Sequence, residues 1–73
     1  MNIESQKMEN VMFMLSKRYH TEIRIEGDDL KEEIFSGRFD IEQTLDNIFE
    51  TIRQMTPIHY QKQADGTYLV TPK

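Results

Sequence analysis

The chain has 73 residues, of which 37% are hydrophobic and 30% charged, with no cysteine and a formal net charge of −4. This length allows one domain at most, and the lack of cysteine excludes disulfides, thiolate metal sites and thiol nucleophiles. The negative charge and the scattered basic residues argue against nucleic-acid binding, which requires a basic stripe to neutralise phosphates.

The sequence contains no apolar run long enough for a transmembrane helix, which needs about 18 residues or more. Residues 1–5 lack the basic start and the apolar core of a signal peptide. We therefore expect either a small soluble protein or a domain cut from a longer chain.

The spacing of apolar residues predicts a first helix from Ser5 to His20, with Ser5 as its N-cap. Phe13 and Met14 point away from the main apolar stripe, which favours cover by a second surface or by a partner. The alternative is that one of them is simply exposed. The stripe itself consists of Met8, Val11, Met12, Leu15 and Tyr19.

Alternating polar and apolar residues predict a half-buried strand over residues 21–26, with Ile23 and Ile25 facing inward. Turn residues follow at 27–29, and residues 30–33 are compatible with a single helical turn. A second strand is predicted over residues 34–39. Gly37 inside that strand indicates a bulge or the close approach of another backbone.

The next helix is predicted from Ile41 to about Met55, and Pro57 ends it. Asp40 is a strong N-cap candidate, and Gln43 lies at the capping-box spacing from it. The predicted buried stripe consists of Ile41, Leu45, Ile48, Phe49, Ile52 and Met55.

Two strands over residues 58–63 and 68–71, joined by an Asp65-Gly66 turn, predict a C-terminal hairpin. The resulting order is helix, strand, strand, helix, strand, strand. The two halves share this layout without convincing residue identity, which indicates a weak structural pseudo-repeat.

The histidines do not form a predicted metal site. His20 ends a helix, His59 lies on the polar face of a strand, and no zinc-like spacing connects them. The acidic residues lie in turns and at helix starts, where capping and solubility explain them. Asp28 and Asp29 lack the alternating ligands and central glycine of a calcium loop.

No nucleophile or base-stacking platform is predicted either. Ser36 lacks the glycine two residues earlier that a nucleophile elbow requires. The aromatic residues lack the basic companions of a nucleic-acid platform, so core packing explains them better. We therefore predict a non-enzymatic binding module without metal, cofactor or small-molecule substrate, whose contact is a sheet edge or an exposed apolar residue. The aromatic residues concerned are Phe35, Phe39, Tyr60 and Tyr68.

An ordered set of motifs covers about residues 7 to 71. It comprises the helix positions Met8, Val11, Leu15 and Tyr19, the strand 22–25, the segment Phe35-Ser36-Gly37-Arg38-Phe39, the helix 41–52, Thr56-Pro57 before a tyrosine-containing strand, and Asp65-Gly66 before an apolar strand. In this order they resemble the C-terminal periplasmic domain of FecR-type anti-sigma regulators of the Bacteroides type. The departures are at the front, where the usual first strand is reduced to residues 2–4 or missing, and Met8 replaces a leucine.

The resemblance implies an α+β fold in which two helices lie between two small sheets. It implies a repeated β-α-β arrangement with the order (β)-α-β-β-α-β-β, similar to the short N-terminal domain of secretins and TonB-dependent transducers. In such a fold, Phe13 and Met14 are expected to face the second sheet.

The resemblance also implies a function. Residues 1–73 would be the single receiver domain of an anti-sigma factor, excised from a longer membrane-anchored chain. The domain would lie in the periplasm, relay a signal and bind the signalling domain of an outer-membrane TonB-dependent transducer, without contacting the membrane directly. The alternative is a short N-terminal signalling or docking domain of a secretin or TonB-dependent transporter. Residues 70–73 look like a natural chain end, which favours the receiver.

Overall fold

A computed structural model describes residues 1–40 and 42–73, and in it strands and helices alternate up to the two final strands. The elements are β1 (Asn2–Lys7), α1 (Met8–Tyr19), β2 (Ile23–Ile25), α2 (Asp28–Glu32), β3 (Ile34–Arg38), α3 (Leu45–Met55), β4 (Ile58–Lys62) and β5 (Tyr68–Pro72). The predicted α+β class is confirmed. Two details differ from the expected order: β1 is a full strand, and the short helix α2 lies between β2 and β3.

The strands form two small sheets. In the first, β1 pairs antiparallel with β3. In the second, β5 lies at the centre, parallel to β2 and antiparallel to β4. The first half of the chain therefore supplies both strands of the first sheet and one strand of the second, and the second half supplies β4 and β5. Helix α1 contacts strands of both sheets, as expected for a helix that lies between them.

One hydrophobic cluster joins the helices to the inner faces of both sheets. The two predicted helix stripes supply most of it, but Tyr19 is only half-buried and Met55 is 57% exposed. The prediction that Met55 is buried is wrong, because the apolar stripe of the second predicted helix continues beyond the part of that helix that other residues cover. Ile41 lies outside the described residues. The buried apolar residues are Ile3, Met8, Val11, Met12, Leu15, Leu30, Phe35, Phe39, Leu45, Ile48, Phe49, Ile52, Ile58, Tyr68 and Val70.

The first helix begins at Met8, so the prediction of Ser5 as its N-cap is wrong. Ser5 belongs to β1, has a φ of 50°, and donates its backbone N–H to the Ser36 hydroxyl over 2.8 Å. The backbone N–H of Met8 donates to the Glu33 carbonyl over 2.7 Å. Pairing with a strand that lies far along the chain therefore removes residues 5–7 from the helix.

The irregularity near Gly37 lies in the partner strand. Ile3 pairs with Gly37 and Gln6 pairs with Phe35, so the register shifts between Ile3 and Gln6 and places a bulge in β1. The group that approaches Gly37 is an aromatic ring and not another backbone. A Cβ at Gly37 would lie 2.9 Å from Cε1 of Phe35, whose ring stacks with Phe39 at a centroid distance of 6.0 Å.

Helix α3 starts later than predicted, at Leu45, with Thr44 as its N-cap. The Thr44 hydroxyl accepts the Asn47 N–H over 3.2 Å. The predicted pair of Asp40 and Gln43 does form reciprocal contacts, but in the turn before the helix. There the Asp40 N–H donates to Gln43 Oε1 over 3.0 Å, and the Gln43 N–H donates to the Asp40 carbonyl over 3.1 Å.

The C-terminal hairpin forms as predicted. Gly66 adopts a φ of 91° in the turn, and Thr67 donates its N–H to Asp65 Oδ1 over 3.0 Å. The hairpin begins after Pro57, which ends the preceding segment as expected. Strand β5 of the hairpin also pairs with β2, so the second sheet joins strands from both halves of the chain.

Candidate protein-interaction surface

The residues considered for chemistry lie apart from one another. His20 caps the C-terminus of α1 in the left-handed conformation and is exposed, and His59 is exposed on β4. The Ser36 hydroxyl accepts the Ser5 N–H across the bulge. Within residues 1–40 and 42–73, no group of three His, Asp or Glu residues could hold a metal ion. These side chains therefore do not form a common site.

An open acidic groove lies between α2 and the start of β3. Its volume is about 500 Å³, and Asp29, Glu32, Glu33 and Ile34 line it. Glu32 forms an ion pair with Lys7 at 3.0 Å, and this contact raises the pKa of Lys7. Because both partners are largely exposed, the pair contributes little to stability. The groove combines negative charge with an exposed apolar side chain.

A second groove, of about 310 Å³, lies between β2 and the hairpin turn. Two of its charged side chains have partners: Arg24 contacts Glu22 at 2.9 Å, and Asp65 accepts both the N–H and the hydroxyl of Thr67. The hydrogen bonds from Thr67 hold the pKa of Asp65 below its usual value. This groove therefore contains a stabilised turn and not a set of free reactive groups. Its lining residues are Arg24, Glu26, Gln63, Asp65, Thr67, Tyr68 and Leu69.

Two phenol–carboxylate pairs attach the hairpin to α3. The Tyr68 hydroxyl donates to Asp46 over 2.7 Å, and the Tyr60 hydroxyl donates to Glu50. The bond to Glu50 raises the pKa of Tyr60 to about 12, and burial raises the pKa of Tyr68 to about 12. Both phenols stay protonated at neutral pH, and the Phe49 ring packs against both, with centroid distances of 5.1 Å. These pairs therefore join the hairpin to α3 and do not supply reactive groups.

Among residues 1–40 and 42–73, three large apolar side chains are exposed, on three different elements. Phe13 of α1 is 61% exposed, Ile34 of β3 is 58% exposed and Met55 ends α3. The expectation that both Phe13 and Met14 face the second sheet is therefore wrong for Phe13. Met14 packs partly against the core, whereas the ammonium of Lys17 lies 5.3 Å from the Phe13 ring centroid.

In β3, the backbone N–H and C=O groups of every second residue point away from β1. Met1 and Phe39 exchange backbone hydrogen bonds of 2.8 Å, and Gly37 continues the same register. Because paired and unpaired positions alternate in an antiparallel ladder, the N–H and C=O groups of Ile34, Ser36 and Arg38 point to the other edge. The side chains of these three residues are also exposed. They form the outer edge of β3.

Comparison with known proteins identifies the family of this fold. The family model described as FecR, C-terminal matches residues 1–70. This chain belongs to the FecR C-terminal family. No curated protein and no solved structure matches it.

FecR C-terminal domains belong to a signal-relay family of regulators and not to an enzyme family. In FecR regulators this domain is periplasmic. Among the described helices of the present chain, none is long and apolar enough to cross a membrane. The sequence pattern predicted the family, but it did not indicate which face makes contacts. A free strand edge becomes visible only once the strand register is known.

Proposed function

We propose that this FecR C-terminal domain relays a periplasmic signal by binding the signalling domain of an outer-membrane TonB-dependent transducer. In this proposal the domain catalyses no reaction, and residues 1–73 form the receiver unit of a longer, membrane-anchored anti-sigma regulator. The observation that carries the proposal is the family match over residues 1–70.

The surface supports a protein partner better than a small ligand. Both grooves are depressions on the surface, and in the second one the charged side chains of Arg24 and Asp65 are engaged in an ion pair and in turn contacts. A small-molecule site normally encloses most of its ligand and brings a few polar groups together within an apolar cavity. In contrast, free strand edges and exposed apolar side chains such as Phe13 and Ile34 are features that protein partners use.

The direct test is isothermal titration of the purified domain with the signalling domain of the transducer encoded beside it. We expect saturable binding at equal stoichiometry. The signalling domain of a transducer encoded elsewhere in the genome serves as the specificity control. If the folded domain shows no binding at tens of micromolar, the receiver function is contradicted.

A further inference from the structure

The outer edge of β3 is a regular template for another strand. It presents the backbone groups of Ile34, Ser36 and Arg38 over the full length of a five-residue strand. All three side chains are exposed, and Ile34 is an apolar residue with 58% of its surface in solvent. An unpaired edge of this kind can hydrogen-bond to an extended segment of a second chain.

The other strand edges are less suited to this role. The bulge in β1 includes Ser5 in a left-handed conformation, which interrupts its outer edge. Strand β2 has only three residues. Strand β4 follows Pro57 and ends with Lys62, and proline and lysine are residue types that disfavour strand addition. The segment Ile34–Arg38 contains neither of them.

The charges beside β3 differ between its two ends. The acidic groove, with Asp29, Glu32 and Glu33, adjoins Ile34 at the start of the strand. Arg38 is exposed at the other end. A strand that pairs with this edge gains favourable electrostatics when it is basic beside Ile34 and acidic beside Arg38. This polarity selects one orientation of the added strand over the other.

We propose that the outer edge of β3 receives an extended strand of the partner protein, basic at the Ile34 end and acidic at the Arg38 end. This inference rests on the proposed function in one respect, namely that the partner is a protein. The added strand would extend the two-stranded sheet of β1 and β3 to three strands.

Amide hydrogen exchange of the complex with the transducer signalling domain locates the contact. We expect the exchange of the Ile34, Ser36 and Arg38 amides to slow by about tenfold or more on binding, because they gain hydrogen bonds. The amides of β4 that point to its free edge should keep their rates. Protection of β4 or β2 in place of β3 would overturn the proposal.

A proline substitution tests the backbone contact separately from the fold. Ile34→Pro removes an N–H that faces away from β1, at the first strand residue, where proline is tolerated. Asn2→Pro is the matched control, since it removes an outward N–H at the first residue of β1. We expect Ile34→Pro to weaken binding by about tenfold and Asn2→Pro to leave it unchanged. Equal affinities for both variants, with melting curves like that of the parent, would overturn the proposal.

A second variant leaves the backbone intact. Arg38→Glu reverses the charge at the end of the edge, and Arg18→Glu makes the same change in net charge on the exposed surface of α1. We expect only Arg38→Glu to weaken binding. Equal effects of the two variants would show that net charge, and not the edge, governs the affinity, which contradicts the proposed polarity.

An experiment without the transducer tests this inference separately from the proposed function. The domain is used to select binders from a phage library of short random peptides. We expect selected peptides to alternate like a strand, to carry a basic and an acidic end, and to slow exchange at Ile34, Ser36 and Arg38. Failure to select such peptides, or self-association of the domain through β3, would overturn the edge proposal. If such peptides are selected but the transducer signalling domain does not bind, only the proposed function is contradicted.

Discussion

Gly37 shows how a single missing side chain shapes the first sheet. The rings of Phe35 and Phe39 lie on the same face of β3 as Gly37 and stack with an interplanar angle of 7°. Both rings are buried, so they have little freedom to move aside. Space, and not backbone conformation, restricts this position, because only Gly27 and Gly66 among the glycines have positive φ.

Valine at Gly37 should destabilise the domain. Its Cβ would lie 2.9 Å from the Phe35 ring, and the cost of such overpacking is typically about 1–3 kcal/mol. Urea denaturation measures the loss. Arg38→Val is the matched control, since it introduces the same side chain at an exposed position of the same strand. Equal midpoints for the two variants would remove the special role of Gly37.

Two phenylalanines provide a contrast between the core and the surface. Phe49 has no exposed surface and contacts the rings of both hairpin tyrosines, whereas Phe13 is 61% exposed. We expect Phe49→Ala to cost about 3–5 kcal/mol, enough to unfold a domain of this size under mild conditions. Phe13→Ala should melt close to the parent. Circular dichroism melts compare them, and similar losses would contradict the assigned core.

At the scale of elements, the contact between α3 and the hairpin depends on a partly exposed carboxylate. Glu50 accepts hydrogen bonds from Arg53 and from Tyr60. These bonds, with that from Arg53 the stronger cause, lower the pKa of Glu50 from its usual value of 4.5. A carboxylate with a lowered folded-state pKa stabilises the fold above its unfolded pKa, and this contribution disappears as the pH falls through the folded pKa.

The expected result is a pH-dependent difference between the parent and Glu50→Gln. At neutral pH the parent should melt at the higher temperature. The gap should close as the pH falls below about 4.5, where the parent's Glu50 becomes protonated. Glu42→Gln removes an exposed carboxylate elsewhere and controls for net charge. A gap that stays constant from neutral to acid pH would contradict the role of the Glu50 charge.

Sequence patterns predicted the elements that depend on neighbouring residues in the chain. The stripe of α3, including Ile48, Phe49 and Ile52, follows from helical spacing, and the hairpin follows from its Asp-Gly turn. Strand β1 could not be predicted in the same way. Only Ile3 of its six residues is buried, so it shows no alternation, and its pairing depends on β3. The same long-range register determines the bulge and the outer edge of β3, which is why the sequence indicated no contact residues.

At the scale of the whole molecule, the two halves of the pseudo-repeat depend on each other. Among the described strands, β2 pairs only with β5, which comes from the other half of the chain. Val11 and Leu15 of α1 and Ile48 and Ile52 of α3 belong to the same buried cluster. A chain this short buries only about 60% of the surface that its unfolded form exposes, so either half alone has too little core to be stable.

We therefore expect a peptide of residues 1–40 to lack a cooperative thermal transition, although it contains both strands of the first sheet. Without β5, the edge of β2 loses its hydrogen bonds, such as those between Glu22 and Tyr68 and between Glu26 and Val70. Mixing this peptide with residues 41–73 should restore a cooperative transition, because the shared core can then form. Circular dichroism of each peptide and of the mixture measures this. A cooperative melt of residues 1–40 alone would show that the first half folds independently, and would contradict a core that requires both halves.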